Sequence, residues 1–205
     1  MGLVTRAGAV ELVLTFGLAT TPERLGAQAL GEQPTLELRV IAYSSLEIAD
    51  VHLARDTAIA LLTTAGLRVV WRECAVDSCA ARPDGAPFLL VHLLPMTKRS
   101  DPAISGEVAR DPASQNPRVL VYVRRNAELT QTVRRSAAGR SHPALQTLTV
   151  GHLVGLTIAH EVGHSLGLKH SSSGVMRAQP SPEDLIDLRR SRLLLPPLAL
   201  PRPPS

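Results

Sequence analysis

Aromatic residues are almost missing from this chain. Two Phe, two Tyr and one Trp in 205 residues leave a core that must be built from Leu, Val, Ile and Ala. They also leave no stacking platform for nucleic-acid bases. The formal charge of +4 and pI near 9.7 come partly from the pairs Arg124/Arg125 and Arg134/Arg135. With nothing aromatic between these pairs, a solvated helix face and loop explain them better than a nucleic-acid partner. Continuous apolar runs are short too. None outside the N-terminus approaches the ~18 residues of a membrane span, so stable membrane insertion is not expected. Cysteine is limited to Cys74 and Cys79, with four residues between them. Two thiols without neighbouring histidines do not complete a tetrahedral metal set, and the leading reading is a local disulfide pinning a loop.

At 205 residues the chain has room for one domain with a proper core. Residues 1–29 resemble a secretory signal. Arg6 precedes an apolar stretch over 7–20, and Ala27-Gln28-Ala29 has the small-x-small form of a cleavage site, although Glu11 interrupts the stretch. The expected organisation is therefore a leader at 1–29, one domain at 30–195 and a disordered proline-rich tail at 196–205, in a secreted or periplasmic protein.

Within the domain, residues 35–43 (TLELRVIAY) alternate as a strand, and 46–65 carry apolar residues at helical spacing up to Gly66. Strands are expected at 67–71, 88–94 and 119–123, and a long loop over 95–117 holds a short edge strand near 106–109. A helix is expected over 126–135, followed by a breaker at 138–142. Pro143 suits the first turn of a long buried helix over 144–166. A last helix over 182–195 is capped by Ser181, with Glu183 and Asp184 in its first turn.

The long helix ends in HEVGHSLGLKH, residues 160–170. His160 and His164, four apart, share one helix face and can present imidazoles to one ion. A catalytic zinc wants three protein ligands and an open position, so the helix must stop for the third to approach from another direction. Gly167 permits that stop and His170 supplies the ligand. Glu161 adjoins the first ligand and is suited to act as general base on a water that zinc has acidified. With 7 His and 10 Glu in the chain, a bare HExxH arises by chance in roughly one such sequence in a hundred. Requiring Gly167 and His170 as well lowers this to a few in a hundred thousand, on the order of the product of the residue frequencies.

The segment resembles the extended zinc signature of the metzincins, and residues 171–176 (SSSGVM) resemble the Met-turn that follows it. The longer stretch IAHEVGHSLGLKHSSSGVMRAQPSPEDL is similar to small secreted matrixin-like proteins of bacteria. The resemblance implies an α/β (α+β) zincin fold. In it a small twisted mixed sheet accompanies a central zinc-binding helix and a small C-terminal subdomain, and Met176 lies beneath the metal as a packing floor. It further implies a zinc-dependent metalloendopeptidase acting on a peptide or protein substrate. Two departures stand out: the interval from His170 to Met176 is short, and Arg177 occupies the place where many metzincins carry Tyr-Pro. Neither cysteine sits where a zymogen-blocking thiol is expected. Two rival readings remain. One is a gluzincin-type peptidase with Glu183 as third ligand, and the other is a degenerate secreted binding module of the same fold. Oligomeric state is not legible.

Overall fold

Five short strands and six helices make up the described part of the chain. The computed structural model describes residues 33–43, 46–75, 79, 88–96, 104–110 and 117–198. The expected leader lies outside them, as does the end of the tail.

The first three elements alternate strand and helix, as their changing hydrophobic periods require, and a further strand follows. Strand β1 is Thr35–Ala42, helix α1 Ile48–Thr64, strand β2 Arg68–Glu73 and strand β3 Phe88–Leu94. Strands β4 (Gly106–Arg110) and β5 (Pro117–Tyr122) follow, then helices α2 (Val123–Arg135), α3 (Ala137–Ser141), α4 (Pro143–Gln146), α5 (Val150–Ser165) and α6 (Pro182–Arg189). The strands form one mixed sheet in the order β2-β1-β3-β5-β4. Four strands are parallel, and β4 alone runs antiparallel, along the β5 edge. This is the mixed α/β sheet expected from the sequence.

Alternate residues of the central strands, among them Leu38, Val40, Leu89, Val91, Val119 and Val121, are buried in a core shared with α1 and α5. Strand β1 departs from simple alternation, because both of its faces are covered. Glu37 and Arg39 on the other face are buried at 4% and 6% exposure. They pair at 2.9 Å, while Arg39 Nη1 donates to Cys79 O at 2.8 Å and its guanidinium lies 4.0 Å above the Phe88 ring. The cost of burying both charges is thereby offset by direct partners. Cys74 and Cys79 are disulfide-bonded, with Cα atoms 5.4 Å apart, so the disulfide lies beside this pair.

Helix α5 is buried from Gly151 to Ala159. It packs so closely on α1 that a Cβ at Gly155 would stand 2.6 Å from Ala54 O. Gly151 N also donates to Asp50 Oδ1 at 3.0 Å.

Three expectations need correction. The single helix over 144–166 is two helices, because Thr149 and His152 form a capping box that starts α5 afresh. The breaker at 138–142 is itself the short helix α3, whose N-cap Ser136 accepts from Gly139 N. The last helix ends at Arg189 and not at residue 195. Ser191 takes a left-handed φ of 55°, and the extended chain beyond it buries Leu193 and Leu195. Burial of those leucines outweighs further helix, and Leu198 of the expected tail also packs against the core. Arg124 and Arg125 lie on α2 and pair with Glu128, as a solvated helix face would have them. Among the described residues no helix is long and apolar enough to cross a membrane.

Candidate metal centre

Helix α5 carries His160, Glu161 and His164 in its last two turns and then ends on a glycine. Gly167 takes φ 91°, a conformation that costs an L side chain energy. Leu168 N bonds back to Gly163 O at 2.9 Å and Gly167 N to His164 O at 3.0 Å, the paired bonds of a Schellman end. The reversal brings His170 over the exposed ends of the other two histidines.

The ring nitrogens then sort themselves. His160 Nδ1 lies 2.8 Å from Val175 O, and His164 Nδ1 lies 2.8 Å from Leu168 O. A carbonyl oxygen only accepts, so each Nδ1 carries the hydrogen and each Nε2 presents a bare lone pair. These Nε2 atoms are 3.0 Å apart, and His164 Nε2 is 3.0 Å from His170 Nε2. Neutral lone pairs facing one another at that distance repel unless a cation lies between them. Nitrogen ligands on a tetrahedral zinc, with bonds of 2.0–2.1 Å, would be about 3.3 Å apart. The donor set and its spacing fit zinc. The imidazole of His160 is held below its ordinary pKa chiefly by burial, with His164 and His170 adding to the effect against the Val175 hydrogen bond. Protonation at Nε2 is thus disfavoured, as a metal ligand requires.

Met176 is fully buried, and a Cβ placed on Gly163 would stand 2.5 Å from its Sδ. The methionine therefore packs directly against α5 between the two helical histidines. The same turn is tied to its surroundings by Ser171 N to Met176 O at 2.9 Å and by Gly174 N to Asp184 Oδ1 at 3.1 Å. Asp184 also accepts from Ser181 N at 2.9 Å and lies 3.1 Å from Arg177 Nε. One carboxylate thus caps α6 and holds the turn that orients His160.

Glu161 is 7% exposed, and its pKa is raised to about 7, first by burial and then by the nearby charge of Glu107 on β4. The Tyr122 hydroxyl donates to Glu107. Gly106, beside Glu107, lets the edge strand close on the helix, since a Cβ there would stand 2.5 Å from Thr157 Cγ2 and 3.0 Å from Glu161 Cγ. Asn126, fully buried, ties three elements together. Its Nδ2 donates to Tyr122 O at 3.0 Å and Ser105 O at 3.3 Å, and its Oδ1 accepts from Thr157 Oγ1 at 2.8 Å. The three histidines and Glu161 open onto a cavity of about 390 Å³ bounded by β4, α2 and the turn after His170.

The residues singled out in the sequence are therefore gathered in one place: His160, His164 and His170 as the cluster, Glu161 beside it and Met176 beneath. Glu183 is exposed on α6 and stands outside the cluster. His152 is buried, its Nε2 taken by Arg189 and its Nδ1 beside Thr149 Oγ1 at 3.1 Å. His142 caps α4 by accepting from Ala144 N at 3.2 Å. Sequence reading missed Gly106, Asn126, Thr157 and Gly163. Only Gly163 left a signal, as a glycine inside an apolar helix, where close approach is the usual reason.

No family model matches this chain, and no curated protein matches it. Among solved structures, archaemetzincin from Methanopyrus kandleri is similar at 15% identity, over 79% of this chain and 98% of that one, with a TM-score of 0.39. A likeness so distant assigns no chemistry to the cluster.

Proposed function

We propose that this chain is a zinc-dependent metalloendopeptidase of the metzincin kind, matrixin-like and exported, with His160, His164 and His170 as zinc ligands and Glu161 as general base. The observation that carries the reading is the convergence of three imidazole Nε2 atoms beside a buried carboxylate, at the mouth of a cavity large enough for a peptide side chain. Zinc bound there would supply Lewis acidity, polarising the scissile carbonyl and acidifying water. Glu161 accepts a proton from the attacking water and delivers it to the leaving nitrogen. Burial raises the proton affinity of this carboxyl in the metal-free site, the direction that strengthens a base. The Val175 and Leu168 carbonyls hold the two helical imidazoles in the ligating tautomer and orientation. Met176, pressed on Gly163, fixes the floor. Export fits the Cys74–Cys79 disulfide and the signal-like leader.

The test is hydrolysis of a quenched-fluorescent peptide library by zinc-loaded protein, with Glu161→Gln alongside. The variant is expected to keep zinc and lose activity by about 10²–10⁴-fold. Equal activity in both proteins would remove Glu161 from the mechanism. An absence of cleavage by zinc-loaded wild type would favour a binding module.

A further inference from the structure

The wall of the cavity holds a cation that the hydrolytic step does not use. Arg177 follows Met176 directly, and among the described residues that line the cavity it is the only lysine or arginine. Much of the remaining lining is apolar, with Leu129, Leu153, Leu156 and Leu193 contributing. The guanidinium is held by one edge. Its Nε is buried and lies 3.1 Å from Asp184 Oδ2, out of line for a hydrogen bond. Neither Nη nitrogen has an acceptor among the described residues, while the side chain is 35% exposed. Asp184 is not free to move toward the fork, because backbone N–H groups of Gly174 and Ser181 take its two oxygens. Its charge is thus shared among two amides, the α6 N-terminus and Arg177, and the guanidinium is not fully neutralised.

An arginine oriented through Nε by an immobilised carboxylate leaves its two Nη groups as a planar fork. That fork matches a carboxylate bidentately. A peptide carries carboxylates in Asp and Glu side chains and at its C-terminus.

We propose that Arg177 is a specificity-determining residue that recognises a carboxylate of the bound peptide, making this cleft selective for acidic or C-terminal segments. The inference rests on the peptidase reading for its ligand and on the Arg177–Asp184 geometry for its site. A charge-assisted pair of this kind at a partly exposed position is expected to favour an acidic peptide by about tenfold.

The experiment uses three hexapeptides of one sequence: Glu at a single position with both ends blocked, Gln there with both ends blocked, and Gln there with a free C-terminal carboxylate. The Glu position is scanned along the peptide. Relative kcat/KM is measured for zinc-loaded wild type and Arg177→Gln, and binding of the same peptides to zinc-loaded Glu161→Gln protein is measured by calorimetry. Wild type should prefer one of the carboxylate peptides by about tenfold, and the preferred one identifies side chain or chain terminus as the source. Arg177→Gln should abolish the preference, whereas a merely structural role would depress all three peptides alike and leave the ratio intact. Equal use of the three peptides by wild type, or a preference that survives Arg177→Gln, overturns the proposal. If wild type cleaves nothing yet Glu161→Gln protein binds a carboxylate peptide preferentially, the hydrolase reading fails and this one stands. Cleavage without preference has the opposite meaning.

Discussion

Replacing Gly163 by alanine tests whether Met176 supports the metal helix. The added Cβ would stand 2.5 Å from Met176 Sδ and 3.2 Å from its Cε, while comfortable contacts lie at about 3.5–4.0 Å. The sulfur must therefore retreat by about 1 Å. Met176 has no solvent to retreat into, being 0% exposed, and overpacking of this kind typically costs about 1–3 kcal/mol. Alanine in a helix interior recovers up to about 1 kcal/mol relative to glycine. Taken from the middle of that range, the net loss should be about 1–2 kcal/mol, which lowers the melting temperature of a chain this size by about 2–8 °C. Because Val175 O holds His160 Nδ1, zinc affinity should fall with stability. Thermal melts with and without zinc measure both. Met176→Ala alone should cost about 2–5 kcal/mol. In the double variant the missing thioether leaves room for the new methyl, so the two losses should be less than additive by ~1 kcal/mol or more. An unchanged or raised melting temperature in Gly163→Ala, or strict additivity in the double variant, would refute the close packing.

Two further outcomes are expected. His152, 6% exposed, has its pKa lowered to about 4 by burial and by Arg189, partly opposed by Asp50. Its neutral form is favoured in the folded state, so stability is unaffected above pH 6.5 and declines as pH falls from there toward 4. The total loss is about 3 kcal/mol. Urea denaturation of metal-free protein between pH 7 and pH 4.5 should show this decline, and His152→Gln should flatten it; an equally steep decline in that variant would rule His152 out as its source. Asn126→Ala removes the bonds to Thr157 Oγ1 and to the Ser105 and Tyr122 carbonyls, although Ser105 O keeps Tyr122 N at 2.9 Å, at a cost of about 2–3 kcal/mol. A fall in melting temperature of about 5–10 °C is the expected result, and a fall under 1 °C would show the network to be dispensable.

What was legible in the sequence was what is local. His160 and His164 share a helix face by period alone, and Gly167 marks the stop that His170 needs. The alternation of strand and helix periods likewise foretold the order from β1 to β5, including the short edge strand in an irregular segment. Long-range pairing left no such mark. Nothing near Asn126 announces that it will bridge Ser105, Tyr122 and Thr157, and nothing near Asp184 points to Gly174 and Arg177. Helix boundaries failed for a related reason. The apolar pattern of residues 144–166 continues through the break that Thr149 and His152 impose, and leucines beyond Arg189 look helical although they are buried in extended chain. In both places capping or tertiary burial overrides a propensity that the local pattern expresses. On β1, the buried Glu37–Arg39 pair disguises a two-sided core strand as a half-exposed one.

The central claim is that three histidines form one zinc site, and zinc content tests it most directly. Wild-type protein and His170→Ala are purified under identical conditions, and zinc per chain is measured by elemental mass spectrometry, followed by competition with a chelator of known affinity. One zinc per wild-type chain is expected. Loss of one ligand, on the order of 3 kcal/mol, should weaken binding by about two orders of magnitude. Full retention of zinc by His170→Ala at unchanged affinity would contradict the account and return Glu183 to consideration as the third ligand.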